Sequence, residues 1–279
     1  MMAEWLSFSF SFLCWGLVLG GVAAIVIVLL LFRALTISHH AAVPKWRLKN
    51  SPAHLLVVLG SGGHTAEMFS MLRRMELDPS RYTYRTYLVS SGDNFSAAKA
   101  VEFETDYLGQ RYQTTTKDAR GSYTIVTVPR ARRVHQSYLT APFSTLQSFW
   151  ACLLVLRGLH PDQKLRPPYF TSPYPDIVLT NGPATAVCVI LAARLLRLYN
   201  YLVAIFEPRR KPTSSGSTRS DLQLRTIFVE SWARVTTLSL SGKILLPFAD
   251  RFLVQWPALG GKQMWKGMRK TEYVGTLVD

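Results

Sequence analysis

From residue 54 onward, short apolar runs alternate with longer stretches whose apolar residues recur every three or four positions. Residues 55–59 form an unbroken apolar run that with His54 predicts a strand at 54–59, and 65–75 place Met68, Met71, Leu72 and Met75 on one helical face. The same reading predicts strands at 82–89, 123–128, 176–180, 201–206, 226–229 and 251–255, with a short one at 273–274. Helices are predicted at 95–108, 140–159, 184–198 and near 238–248. Strands alternating with helices of this length imply parallel βαβ units, hence a Rossmann-like α/β sheet covered on both faces. Phe143, Leu146, Phe149, Leu153 and Leu156 make 140–159 apolar enough to raise a second membrane segment. Arg157 and the helical spacing favour a buried or membrane-lying helix instead.

The pattern changes at the N-terminus, where residues 5–32 contain no charged side chain. A bilayer core takes about 20 apolar helical residues, and 12–32 supply them. A cleaved signal peptide would open with basic residues and use an apolar core of about 7 to 15 residues; here Glu4 is the only charge before the run. Arg33, Lys45, Arg47 and Lys49 follow it, so the positive-inside rule places the N-terminus outside the cytosol. The expected organisation is a short lumenal N-terminus at 1–11, a transmembrane helix at 12–32, a basic linker at 33–53 and a cytosolic α/β domain at 54–279. Residues 207–225, rich in Pro, Ser and Arg, bury too little apolar surface to order themselves and read as a flexible insertion.

Charge and cysteine usage agree with that arrangement. A formal charge of +15 calls for an acidic partner. Beside an anchor this favours anionic headgroups over nucleic acid. Cys14, Cys152 and Cys188 are scattered rather than arranged as a disulfide framework, which suits a reducing compartment. Asn94-Phe95-Ser96 is a glycosylation sequon that a cytosolic domain would leave unmodified.

Candidate chemistry sits where strands are expected to end. Gly60, Ser61, Gly62, Gly63, His64 and Thr65 form a glycine-rich turn between strand and helix. There, backbone amides approach an anion closely and the helix dipole favours it. The turn lacks the third glycine of the dinucleotide fingerprint, whose slot is Thr65; a phosphate cradle and a purely structural turn both fit. A histidine's unperturbed pKa lies near neutrality, so His64 suits pairing with a diphosphate, proton acceptance or simple helix capping. Asn181, Gly182 and Pro183 form a second strand-to-helix turn of good turn chemistry. Glu230, Ser231 and Arg234 follow another strand and either line a cleft or pair Glu230 with Arg234. Zinc-ligand spacing, a Walker-type lysine and a Gly-x-Ser-x-Gly elbow are all missing, and neither metal nor cofactor is expected.

Several ordered motifs together resemble one family. "LGSGGHTAEM" at 59–68, "PRARRVHQSYLT" at 129–140, "LTNGPATAV" at 179–187, "VESWARVTTLSLSGK" at 229–243, "ADRFLVQWP" at 249–257 and "YVGTLV" at 273–278 are similar to the membrane-anchoring subunits of eukaryotic UDP-N-acetylglucosamine transferases. The insertion at 207–225 departs from the family pattern. The resemblance implies the acceptor-side half of a GT-B glycosyltransferase fold, similar to the bacterial lipid-linked muramyl peptide transferase. It also implies a place at the endoplasmic reticulum membrane or the continuous nuclear envelope. The reaction would add the second N-acetylglucosamine to the dolichol diphosphate-linked precursor of asparagine-linked glycans. The chain is short for a second α/β domain, so a separate cytosolic catalytic subunit is expected to bring the UDP-N-acetylglucosamine site. Ser61 to Thr65 and Asn181 to Pro183 are then expected at the acceptor diphosphate, with His64 a candidate proton acceptor. Tyr273, Val274, Gly275, Leu277 and Val278 are expected to dock the partner. The competing readings are a self-sufficient membrane-bound glycosyltransferase and a pure scaffold.

Overall fold

The computed structural model describes residues 51–75, 77–111, 121–132, 136–137, 140–164, 166–168, 170, 172–182, 184–206, 224–266 and 268–278, together with 18, 20–22, 25–26 and 29–30. Two compact units divide the chain, Met1–Ala41 and Ala42–Asp279. In the first, the described residues are helical, and Val18, Val22, Ile25, Val26, Leu29 and Leu30 expose apolar side chains. The remaining positions of the expected span at 12–32, its flanks at 1–11 and 33–50, and 207–223 of the insertion lie outside the described residues.

The second unit is built on a seven-stranded sheet. Its strands are β1 (His54–Val58), β2 (Tyr84–Ser90), β3 (Ser122–Val128), β4 (Ile177–Asn181), β5 (Arg225–Val229), β6 (Arg251–Val254) and β7 (Glu272–Tyr273). The order is β3-β2-β1-β4-β5-β6-β7, with every pairing parallel. The Rossmann-like expectation holds. β1 lies between β2 and β4, with Val57 opposite both Tyr87 and Leu179. β1 and β2 are buried along their whole length, as apolar runs covered on both faces must be. β3 alternates exposed and buried positions because it lies at an edge.

Helices α1 (Gly63–Arg74) and α2 (Asn94–Glu102) cover one face, and α2 continues into a π-helical turn, Phe103–Leu108. Met68, Phe69, Leu72 and Phe103 pack there against Val57, Tyr87 and Leu179. The opposite face carries α3 (Ala141–Arg157) and α4 (Ala184–Phe206), whose Cys152, Val155, Val189 and Ala193 pack on Leu56, Val126 and Val178. Pro142 in the first turn and Gly158 in the left-handed conformation bound α3. A short helix, α5 (Leu240–Leu245), packs beside α4. Cys152 and Cys188 are buried free thiols of this layer, and burial pushes both thiols up.

One element differs from expectation. Residues 201–206 are not a strand but the last turns of α4. The run has no glycine or proline before it to stop the helix, and a short apolar run fits a helix as well as a strand. Over Thr185–Val203 this helix is long and apolar enough to cross a membrane, yet half of it is buried inside the domain. Arg194, fully buried, donates to Asp250 Oδ1 at 2.8 Å, so α4 is a core helix. Asp250 also accepts from Arg197 Nη2 at 2.7 Å and from the Thr226 amide at 2.9 Å. Burial opposes its charge, but Arg197 and Arg194 outweigh burial and hold the carboxyl far below its ordinary range.

Candidate functional site

The strand order reverses direction between β1 and β4, which opens a crevice beyond their carboxyl ends. A cavity of about 880 Å³ occupies that end of the sheet. Its floor includes Gly60, Ser61 and His64 after β1, and Asn181 and Gly182 after β4. Arg130 and Arg132 come from the segment after β3; Glu230, Ser231 and Arg234 follow β5, and Leu240 and Ile244 belong to α5.

His64 stands between the two glycine turns because neither Gly60 nor Gly182 carries a side chain. A Cβ on Gly60 would fall 2.6 Å from His64 Cβ, and one on Gly182 would fall 3.0 Å from His64 Cγ. Gly182 also has a φ of 90°, a conformation glycine takes at little cost. At the start of α1, no side chain caps the helix. Helix-opening amides have no intrahelical acceptors, so those of Gly63 and His64 are available to an anion. The next turn along the sheet is different: Asp93 caps α2 by accepting from the Ser96 amide at 3.1 Å.

Glu67, one turn into α1, ties the crevice together. Its Oε2 accepts from Asn181 Nδ2 at 2.9 Å and its Oε1 from Ser231 Oγ at 2.8 Å. Oε2 lies 3.6 Å from His64 Nδ1, beyond a normal hydrogen bond but within reach of an ion pair if the ring is protonated. That nitrogen is buried with no hydrogen-bond partner, while about a third of the side chain is exposed. The ring therefore meets the cavity by its other edge. Burial works to raise the Glu67 carboxyl, but the contacts with His64, Asn181 and Ser231 prevail and hold it below its ordinary value. An ionised Glu67 faces His64 Nδ1. Three arginines, Arg130, Arg132 and Arg234, bring positive charge to the same cavity. The arrangement suits a polyanionic ligand beside a histidine able to exchange a proton. Among the described residues no group of acidic, histidine or cysteine side chains could hold a metal ion.

Residues 55–277 match the family described as "Oligosaccharide biosynthesis protein Alg14 like". The UDP-N-acetylglucosamine transferase subunit alg14 of Aspergillus fumigatus is 65% identical over 228 residues, which is 76% of this chain and 100% of that protein. The chain belongs to the Alg14 family. Subunits of the same description from Schizosaccharomyces pombe and mouse are 36% and 33% identical over 236 and 264 residues, covering 84% and 94% of this chain and 88% and 98% of theirs. No solved structure is a significant match. The family match spans every strand of the sheet but the first residue of β1, and so takes in the whole crevice.

Within this family member the residues singled out in the sequence are placed differently from one another. Ser61, His64, Asn181, Gly182, Glu230, Ser231 and Arg234 all line the cavity, while Gly62 and Gly63 form the turn into α1. Thr65, expected at an anion, is instead fully buried. Its hydroxyl bonds the Gly60 carbonyl and, at 2.6 Å, Ser96 Oγ, and its amide donates to Gly62 at 3.1 Å. Thr65 fastens the turn, leaving none of its donors to a ligand. Pro183 lies outside the described residues.

Glu230 does not pair with Arg234. It accepts from the Ser239 amide at 3.1 Å and hydroxyl at 3.2 Å, and from the Ser231 amide at 3.2 Å. The residues between are turns rather than helix, so a four-residue spacing does not bring the two side chains together. At the C-terminus Tyr273 and Val274 are exposed at the β7 edge, but Leu277 and Val278 pack onto the core and the Leu277 amide donates to Gln255 at 2.9 Å. Glu67, Arg130 and Arg132 carried no expectation. Glu67 sits three residues after His64, on the same helical face, and that spacing was the available signal.

Proposed function

We propose that this chain is the membrane-anchoring, acceptor-side subunit of the UDP-N-acetylglucosamine transferase that adds the second N-acetylglucosamine to N-acetylglucosaminyl-diphosphodolichol. The observation that carries the reading is the crevice itself. Two glycine turns enclose His64 beside three arginines, in a family whose named members are transferase subunits. The amides of Gly63 and His64, Ser61, Asn181 and the three arginines hold the acceptor diphosphate by charge-assisted hydrogen bonds. The apolar run at 12–32 anchors the chain in the endoplasmic reticulum membrane with the domain cytosolic. The described residues form one parallel sheet, and a cytosolic catalytic subunit supplies the UDP-N-acetylglucosamine site across the crevice. Its contact on this chain includes the exposed β7 edge at Tyr273 and Val274.

In the transfer, the acceptor hydroxyl gives its proton to His64 as its oxygen bonds to the anomeric carbon. UDP leaves with the electron pair of the bond that breaks, and Glu67 stabilises the imidazolium so formed. The deciding experiment assays sugar transfer to a dolichol diphosphate-linked acceptor after expression of the chain with and without the cytosolic subunit. Transfer only by the pair is expected. Turnover of UDP-N-acetylglucosamine by this chain alone would establish a self-sufficient enzyme, and rescue of the partner by an unrelated anchor would reduce the chain to a scaffold.

A further inference from the structure

The outer face of α3 is built the wrong way round for water. Phe143, Leu146 and Trp150 fall on one helical stripe and are 77%, 66% and 64% exposed. Helices of soluble domains put polar residues on that face, and a continuous row of large apolar groups marks a contact surface. Arg157 ends the same stripe with an exposed guanidinium. Beside the helix, the Ala131 carbonyl accepts from Ser144 Oγ at 2.9 Å and Thr145 Oγ1 at 3.1 Å. Those bonds hold Arg130 and Arg132 against the first turns of α3.

A different side of α3 borders the cavity. Thr145 of α3, Thr185 and Val187 of α4, and Leu240 and Ile244 of α5 all line it. Leu240 and Ile244 are themselves 72% and 41% exposed. The apolar shoulder of α5 thus borders a cavity that also carries Arg130, Arg132 and Arg234, and α3, which bears the stripe, borders it through Thr145. Aromatic and aliphatic groups bordered by arginine are the composition of an element lying in the interface of an anionic bilayer. There the rings enter the headgroup region and the guanidinium groups meet lipid phosphate.

We infer that the α/β domain itself docks on an anionic membrane surface through the α3 stripe of Phe143, Leu146 and Trp150, with the α5 shoulder beside the cavity mouth. This contact is additional to any spanning helix at 12–32 and does not depend on which acceptor enters the cavity. It makes the cavity open at the level of the headgroups.

The test uses the full chain reconstituted in phosphatidylcholine vesicles containing a lipid with a photoactivatable acyl chain, with and without phosphatidylserine. Crosslinked residues are mapped by mass spectrometry. Label is expected on the segment from Phe143 to Trp150, lost in a Phe143→Ser, Leu146→Ser, Trp150→Ser variant whose circular dichroism is unchanged. Phosphatidylserine should raise the yield about fivefold or more, the factor one arginine near an anionic surface supplies. Arg157→Gln should reduce that gain. Label that never reaches α3, or that survives the triple substitution, overturns the inference. So does protection of α3 amides from hydrogen exchange by the cytosolic catalytic subunit in lipid-free detergent, which would assign the face to protein.

Discussion

Glu67 and Asp250 are both carboxylates that accept hydrogen bonds from several elements, and both are held ionised against the cost of burial. Asp250 is closed in on all sides: two arginines of α4 and the Thr226 amide use its oxygens, and it is 5% exposed. Glu67 is held by two neutral donors, Asn181 and Ser231, and its remaining direction points at a histidine whose facing nitrogen has no partner. The first arrangement uses up the charge within the fold. The second leaves part of it to act on His64, which lines the cavity. Removing each partner in turn separates stability from chemistry.

The largest effect is expected from His64→Ala. If Glu67 exists to serve His64, the variant should slow transfer by the reconstituted pair about 10²- to 10⁴-fold, the range of a lost proton acceptor. Its midpoint of urea denaturation should stay near wild type, because the ring fills a cavity edge rather than the core. Unaltered turnover would break the assignment. Asp250→Ala comes next and acts on the opposite property. Fully buried Arg194 would be left without its carboxylate, and stranding a buried charge costs about 3–5 kcal/mol. Denaturant titration should show that loss, and a change below about 1 kcal/mol would mean that Arg194 finds other partners or water.

How much of this contrast could be read from the chain depends on distance along it. The strands announced themselves because residues 55–59 and 177–179 are apolar runs followed closely by turn residues, and the glycine turn is visible as a string. What the string does not contain is the strand order that puts Gly60 beside Gly182 with His64 between them. Glu67 passed unremarked because Asn181 and Ser231 lie 114 and 164 residues further on. Thr65 misled for a local reason: its place in a glycine turn resembles a ligand position, whereas Ser96, in the first turn of α2, claims its hydroxyl. Residues 201–206 misled because a short apolar run fits a helix as well as a strand.

A smaller effect is expected from Glu67→Gln, which keeps the shape and both neutral contacts but removes the charge facing His64. Loss of a charged hydrogen-bonding partner is worth about 1.5–3 kcal/mol, so transfer should fall roughly ten- to a hundredfold. The imidazolium loses its counter-charge, so the acid limb of the pH–rate profile should move to lower pH. A simple loss of stability would lower activity at all pH values without moving that limb. The pH profile therefore distinguishes a positioning carboxylate from a structural one.

Acid sensitivity gives the finest comparison of the two carboxylates. The folded-state pKa of Asp250 is depressed, so the stability it contributes is complete above the unfolded value, about 3.9. That stability is lost as pH falls toward the lower folded value, because the unfolded chain takes up the proton first. Below about pH 4 the wild-type protein should lose stability with a slope to which Asp250 contributes, and Asp250→Asn should flatten it. Glu67 is lowered in the same direction, so its contribution has the same sign, but it is more accessible and has no arginine against it. Glu67→Gln should therefore flatten the acid slope less than Asp250→Asn does. Equal flattening in the two variants would mean that the crevice carboxylate is spent on the fold as fully as the buried one, leaving His64 without a charge reserved for it.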